Sequence, residues 1–200
     1  LSLDAPALER GVVAASTGNH GQGVAYAGQL LGAPVTICVP VGNNPDKNAA
    51  MRALGAEVVE SGRDFDQARE RVEELQRANG LRYVHSANEP LLIAGVATYG
   101  LEIFEAQPDT DVVLVPIGGG SGACGCALAR SWLGSKAEVI GVQAAGADAF
   151  TRSWRSGTRV TGDRASTFAE GMATRVTFDL TFDILRRELV EGEPLPTETE

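Results

Sequence analysis

DVVLVPIGGGSGACG, Asp111 to Gly125, is the stretch that decides the fold. A run rich in β-branched residues, Val112 to Ile117, ends in GGGSG at Gly118 to Gly122, where four of five positions are glycine. An alanine-rich helical pattern, CGCALARSWLG, follows at once. Strand, glycine turn and helix in that order bring backbone N–H groups within reach of an anion. The helix start adds roughly half a positive charge. The stretch therefore predicts a phosphate cradle at the carboxyl end of a strand.

The same alternation extends outward in both directions. Upstream, GVVAAS (Gly11 to Ser16), APVTICVP (Ala33 to Pro40), Glu57 to Glu60 and Leu81 to His85 are expected strands. Between them, helices are expected over 19–31, over Pro45 to Leu54, opened by proline and stopped by Gly55, and over Asp64 to Ala78. A longer apolar helix is expected over Leu91 to Ala106, and the helix after the glycine turn runs to Leu133. Beyond it come a strand at Ala137 to Gln143, a helix over Ala147 to Arg155, a turn-rich stretch at 156–166 and a helix at 178–190. Alternating strands and helices predict an α/β protein of open parallel sheets covered on both faces. A border near residues 88–92 gives two units, 1–90 and 91–200, the second incomplete, as is the N-terminal part. The sequence holds no internal repeat.

The 17 basic and 26 acidic residues leave a net charge of −9, which argues against nucleic acid or an anionic membrane as a partner. Without an 18-residue apolar run or a signal-peptide pattern, a cytoplasmic location is expected. Cys38, Cys124 and Cys126 form no CxxC pair, so buried free thiols are expected rather than zinc ligands or disulfides. The start at Leu1 rather than Met, with the acidic end GEPLPTETE, suggests a piece of a longer protein, a processed or engineered start being the alternative.

In open α/β sheets ligands bind beyond the carboxyl ends of strands. Two loops occupy such places: Gly118 to Gly122, and Ser16-Thr17-Gly18-Asn19-His20-Gly21. Gly120, Gly122 and Gly125 make a formal GxGxxG, but a dinucleotide site also wants an acidic residue ending the next strand. That strand ends in Gln143, and Glu138 lies at its other end. The first loop offers a hydroxyl, backbone N–H groups and an amide, neutral donors suited to a carboxylate. Its plainer alternative is a helix N-cap.

On these residues the chain resembles the pyridoxal-phosphate enzymes of the tryptophan-synthase β fold type (fold type II), in particular the threonine/serine dehydratases, or ammonia-lyases. The resemblance is carried by Ser16 to Ala25 (STGNHGQGVA), Pro45, Lys47, Arg52, Gly55 to Val58 (GAEV), Val115 to Gly122 (VPIGGGSG), Val139 to Val142 (VIGV) and Thr167 to Ala173 (TFAEGMA). It spans about residues 10–190 and corresponds to the middle of such an enzyme. It implies that Gly118, Gly119, Gly120, Ser121 and Gly122 hold the phosphate of pyridoxal 5′-phosphate and that Asn19 bonds the pyridine 3′-oxygen. Ser16, Thr17, Gly18 and His20 would surround the substrate carboxylate. The implied reaction is α,β-elimination on threonine or serine, giving a 2-oxo acid and ammonia. The implied assembly is a homo-oligomer.

The same resemblance marks what these residues lack. The family's Schiff-base lysine lies in a Ser-Phe-Lys segment a few dozen residues before the first loop. The only lysines here are Lys47, at a position where the family carries a structural lysine, and Lys136, before a strand and away from the site. Both are expected to be solvated charges, no residue is assigned as catalytic, and the chain alone is expected to be inactive. Related racemases and dehydratases bind a divalent cation through a Glu, a backbone carbonyl and an Asp after the VIGV strand. Gln143, Ala147 and Ala149 stand at the comparable positions, so no metal site is expected. His85 is expected to be structural, the charges between Arg63 and Arg77 a solvated face, and Trp132 and Trp154 packing residues, while Glu170 is placed near the cofactor ring. Two alternatives stay beside the lyase: a non-catalytic α/β protein binding phosphate or carboxylate, and a nucleotide-binding module.

Overall fold

In the computed structural model, residues 3–189 and the backbone of 197–198 are described. The chain divides into two compact units, Leu1–Ser86 and Ala87–Glu200.

The first unit runs α1 (Ala5–Arg10), β1 (Val12–Ala15), α2 (Asn19–Leu31), β2 (Val35–Val39), α3 (Pro45–Ala53), β3 (Glu57–Glu60), α4 (Phe65–Asn79) and β4 (Arg82–Tyr83). Its strands are all parallel in the order β3-β2-β1-β4, with Val12 opposite Val35 on one side of β1 and Arg82 on the other. Alternate residues of a strand face opposite ways, so β1 feeds two cores. Val12 and Ala14 join Val24, Ala25, Ile37 and Met51 on the face of α2 and α3, while Val13 and Ala15 join Cys38, Ala68 and Val72 on the face of α4. Helix starts are written locally. Asn44 Oδ1 accepts from the N–H groups of Asp46 and Lys47 ahead of α3, whose first residue is Pro45. Asp64 caps α4 by accepting from Gln67 N–H at 2.9 Å. Because β2 and β4 flank β1 after connections that leave in opposite directions, the carboxyl ends of β1 and β4 border the topological switch point, the place where such sheets bind ligands.

The second unit runs α5 (Pro90–Ala106), β5 (Val112–Pro116), α6 (Ser121–Leu133), β6 (Glu138–Ala144), α7 (Ala149–Ser156), α8 (Asp179–Glu188) and β7 (Thr197–Glu198). Its parallel sheet has the order β5-β6-β7, with Val113 opposite Val139 and Gln143 opposite Thr197. An antiparallel bridge, Thr161 to Val176, lies outside it. Val115, Ile117, Cys124, Val139, Phe150, Phe182 and Leu185 form the core, and the Phe150 and Phe182 rings meet edge-on at 5.9 Å. α5 and α6 approach closely through glycine: a Cβ on Gly125 would lie 3.0 Å from Ala97 N, and one on Gly100 3.0 Å from Ala129 Cβ.

The expected alternation is present throughout, and both sheets are parallel. Sequence patterning gave no sign of α1, a six-residue helix capped by Asp4, or of the two-residue β7. The helix expected from Ala147 begins as a 3₁₀ turn at Ala145–Ala147 before α7. The end of the 178–190 helix and most of the acidic C-terminal stretch lie outside the described residues. One expectation is corrected: helices cover only one face of β5, leaving Val112 46 % and Leu114 66 % exposed on the other. Trp132 is likewise 84 % exposed rather than packed, whereas Trp154 stacks on Phe150 beneath Arg186. On α4, Asp66 is buried instead of solvated, and Arg69 turns partly inward to pair with Glu73.

Candidate functional site

The glycine loop joins β5 to α6 at the carboxyl end of the strand. Ile117 N–H still belongs to the sheet, donating to Val142 O at 2.7 Å, and the next N–H engaged is Cys124's, donating to Gly120 O at 3.0 Å. Among the described residues, the N–H groups of Gly119, Gly120, Ser121, Gly122 and Ala123 have no protein acceptor, and no side chain caps α6. Two of the glycines, Gly118 and Gly120, are sterically required. A Cβ on Gly118 would collide with the Gly171 carbonyl oxygen, and Gly120 has φ +92° with Thr181 Cβ 3.0 Å from where its own would stand. Thr181 Oγ1 donates to Gly119 O at 2.7 Å, so α8 holds the loop from behind. A row of outward N–H donors at a helix start, with no acidic side chain in the loop, is the donor set of a phosphate. Gly125, the third glycine of the GxGxxG, serves helix packing and lies outside that row.

The first loop joins β1 to α2 at the switch point. Ser16 is 4 % exposed, and its Oγ accepts from Gly18 N–H at 3.0 Å and Gly21 N–H at 2.8 Å. The capping alternative therefore holds for the Ser16 oxygen, which leaves only its O–H proton for another partner. The N–H groups of Thr17, Asn19 and His20 have no acceptor among the described residues, and the Asn19 side chain is exposed. His20 Nε2 lies 3.0 Å from Val84 O, tying α2 to the chain after β4. Burial lowers the His20 pKa, outweighing the Val84 contact, so the ring is neutral at pH 7 and its Nε2–H donates to that carbonyl. His20 thus offers a ligand its backbone N–H rather than a charge.

The region from residue 4 to residue 199 matches the family model of pyridoxal-phosphate dependent enzymes. The chain belongs to that family. It is 41 % identical over 183 residues to the L-threonine ammonia-lyase of Thermotoga maritima, covering 92 % of this chain and 46 % of that protein. To the L-threonine ammonia-lyase of Geobacter sulfurreducens it is 40 % identical over 194 residues, covering 97 % and 48 %. Among solved structures, the processed threonine deaminase isoform 2 of Solanum lycopersicum superposes with a TM-score of 0.87 at 37 % identity, covering 98 % of this chain and 57 % of that one. Maize serine racemase gives 0.86 at 28 %, covering 94 % and 57 %. The chain thus spans about half the length of the relatives it matches. The fold is that of the fold-type II members, and the family's cofactor is pyridoxal phosphate.

For a pyridoxal-phosphate family member, one side chain, Lys47, stands differently from its sequence expectation. Lys47 lies against the first loop: its Cδ is 3.4 Å, and its Nζ 3.8 Å, from where a Gly18 Cβ would be. The available signal was the Asn44-Pro45 helix start, which puts Lys47 in the first turn of α3 beside the end of β2. Gln143 is fully buried, and its Oε1 accepts from Thr151 N–H at 2.9 Å and Thr151 Oγ1 at 3.0 Å. Its amide oxygen pins α7 on β6, while its buried Nε2 has no hydrogen-bond partner among the described residues, and as a glutamine it presents no carboxylate to a ribose. The position also does not suit a hard cation: Ala147 and Ala149 are buried without oxygen side chains, and Asp148 pairs with Arg152 at 3.0 Å. Among the described residues, no three His, Cys, Asp or Glu side chains gather as a metal site.

The other lysine, Lys136, lines a cavity of about 650 Å³ with Phe104, Glu105, Asp109, Asp111 and Leu133, at the amino ends of β5 and β6 and so at the opposite end of the strands from the glycine loop. Cys38, Cys124 and Cys126 are free and buried, and burial raises their pKa, to about 11 for Cys38 and about 12 for Cys124. None is a nucleophile at neutral pH. His85 packs on Tyr83 at 5.1 Å, and burial, then Arg69 and His20, lower its pKa to about 4. The stretch at Thr167 to Ala173 backs the glycine loop through Gly171 and Met172, with Phe168 exposed. Among the described residues, no helix is long and apolar enough to cross a membrane.

Proposed function

We propose that this chain is the part of a pyridoxal-phosphate-dependent threonine/serine ammonia-lyase that carries the cofactor-phosphate loop and the substrate-carboxylate loop. The row of N–H groups from Gly119 to Ala123 without a protein acceptor, in a loop where Gly118 and Gly120 leave no room for a Cβ, carries this reading. The relatives named above support it across more than nine-tenths of the chain.

In this reading Gly118, Gly119, Gly120, Ser121 and Gly122 bind the phosphate, with the α6 start contributing favourable charge. Thr181 keeps the loop in its binding geometry. Asn19 bonds the oxygen on the pyridine ring. The Thr17, Asn19 and His20 N–H groups, with the Ser16 hydroxyl proton and the Gly18 backbone, orient the carboxylate of threonine or serine. The bound cofactor supplies an electron sink for removal of the α-proton. The outcome is loss of the β-hydroxyl and release of a 2-oxo acid and ammonia. A cytoplasmic location belongs to the same reading, as does a homo-oligomer that would cover the open face of β5.

Equilibrium dialysis of the 200-residue chain against pyridoxal 5′-phosphate and against phosphate-free pyridoxal tests the reading. The phosphate ester should bind at least tenfold more tightly, and equal affinity would overturn the cradle. The 200 residues contain no Ser-Phe-Lys segment, so the isolated chain should make no 2-oxobutyrate from L-threonine with the cofactor supplied. Sustained 2-oxobutyrate production would show that a lysine within these residues carries the cofactor.

A further inference from the structure

Gly125 lies outside the row of loop N–H groups, yet it decides what stands beside them. Its missing Cβ lets α5 approach α6 backbone to backbone, as does that of Gly100, whose Cβ would lie 3.2 Å from Cys126 Cα and 3.3 Å from Gly125 O. This close crossing carries Tyr99 of α5 onto the first turn of α6. The Tyr99 hydroxyl donates to Gly122 O at 2.9 Å and accepts from the Cys126 thiol at 3.1 Å. Burial raises the pKa of both groups, so each keeps its proton at neutral pH. With the thiol proton directed at the phenol oxygen, the single phenol proton is left for the carbonyl. The hydroxyl comes this near because residue 122 is glycine: it lies 3.2 Å from where a Cβ there would be.

Gly122 O shares a peptide plane with the Ala123 N–H, one of the row without a protein acceptor among the described residues. In a trans peptide the C=O and N–H point in opposite directions, so holding the oxygen aims the N–H. The same arrangement recurs further along the row. Thr181 Oγ1 donates to Gly119 O, and the N–H on that peptide is Gly120's. Two hydroxyls, one from α5 and one from α8, thus hold the carbonyl side of two peptides whose N–H groups point the other way. A carbonyl that accepts a bond also makes the N–H of its own peptide a better donor, because bonds in series polarise one another.

We propose that Tyr99 is a positioning residue of the phosphate cradle, its hydroxyl fixing the Gly122–Ala123 peptide so that the Ala123 N–H is aimed at the phosphate. This rests on the assignment of the Gly118–Gly122 loop to the cofactor phosphate. Tyr99 acts through that peptide and not on the cofactor. Together with Thr181 it sets the directions of the donors before a ligand arrives, which lowers the ordering cost of binding.

The test compares the wild-type 200-residue chain with Tyr99→Phe, which keeps the ring and its packing and removes only the hydroxyl. In equilibrium dialysis the affinity for pyridoxal 5′-phosphate should fall about three- to tenfold, the effect of one lost hydrogen bond, while that for phosphate-free pyridoxal stays within about twofold. Proton–nitrogen NMR spectra with inorganic phosphate give the local readout. Saturation should move the Ala123 amide proton downfield in the wild type and by clearly less in Tyr99→Phe, while the Gly120 amide, held by Thr181, moves equally in both. Equal losses for the two pyridoxal compounds, no loss for the phosphate ester, or an Ala123 shift that survives the substitution would make Tyr99 a packing residue and overturn the proposal while the loop assignment stands. If the wild type binds the phosphate ester no better than pyridoxal, and phosphate moves none of the amides from Gly119 to Ala123, the loop assignment fails and the proposal with it.

Discussion

Glycine-to-alanine substitutions at Gly118 and Gly23 should change stability in opposite directions, although each adds the same single methyl group. At Gly118 the new carbon would overlap the Gly171 carbonyl oxygen and lie 3.2 Å from Met172 Cα. Both obstacles are backbone, so neither can rotate aside and the 170–172 turn must move. Overpacking of this kind costs ~1–3 kcal/mol, against a gain of ~0.4–1 kcal/mol from restricting the unfolded chain. The net expectation is a loss of ~1–2 kcal/mol. At Gly23, on the exposed side of α2, nothing lies within 4 Å of the new carbon. There the helix propensity of alanine should add ~0.5–1 kcal/mol. For a chain of this size 1 kcal/mol moves the melting temperature by roughly 2–4 °C, so the two variants should differ by roughly 3–12 °C. Urea unfolding and a thermal melt followed by circular dichroism read this directly. Gly118→Ala should also bind pyridoxal 5′-phosphate more weakly, because moving the turn moves the cradle. A Gly118→Ala variant as stable as the wild type would refute the claim that this loop is glycine for want of space.

Ser16→Ala removes the acceptor of two N–H groups at the start of α2 and should cost about 1–2 kcal/mol in urea unfolding; a change under about 0.3 kcal/mol would mean that the cap is not formed. His85 carries a folded-state pKa of about 4 against about 6.5 unfolded, so the unfolded chain binds the proton first. Its contribution to stability is intact above pH 6.5 and should be lost as pH falls toward 4, by up to ~3 kcal/mol, with His20 adding in the same sense. An NMR titration placing the His85 midpoint at or above 6.5 would contradict this. Thr151→Val leaves the buried Gln143 Oε1 with the backbone N–H alone and should cost about 1 kcal/mol in the same unfolding assay. Because the Gln143–Thr151 bonds do the fastening there, magnesium and chelator should leave the melting temperature of the wild type unchanged, and a stabilisation of several degrees by the cation would show that this position binds metal after all.

The sequence by itself determined the alternation of strands and helices, the parallel sheets, both glycine-bearing loops and the family. Each is a local or periodic signal: β-branched runs of strand length, Asn44-Pro45 and Asp64 at helix starts, and GGGSG directly after a strand. Only the tertiary structure decided how individual polar groups are used, because hydrogen bonds between elements leave no periodic trace. Ser16 and His20 sit in one loop and have the same expected role. In the fold the Ser16 oxygen is taken up as a cap, and the His20 ring is held neutral against Val84, a partner 64 residues away in the chain. Lys47 and Gln143 show the same limit in opposite senses. A lysine near a helix start is ordinarily solvated, yet packing of α3 against α2 brings this one onto Gly18. A glutamine at the end of a strand is open to a ligand until α7 folds back and Thr151 takes up its carbonyl. Chain neighbours and hydrophobic period settle where elements form, while the packing of one element on another settles which donors and charges remain available for chemistry.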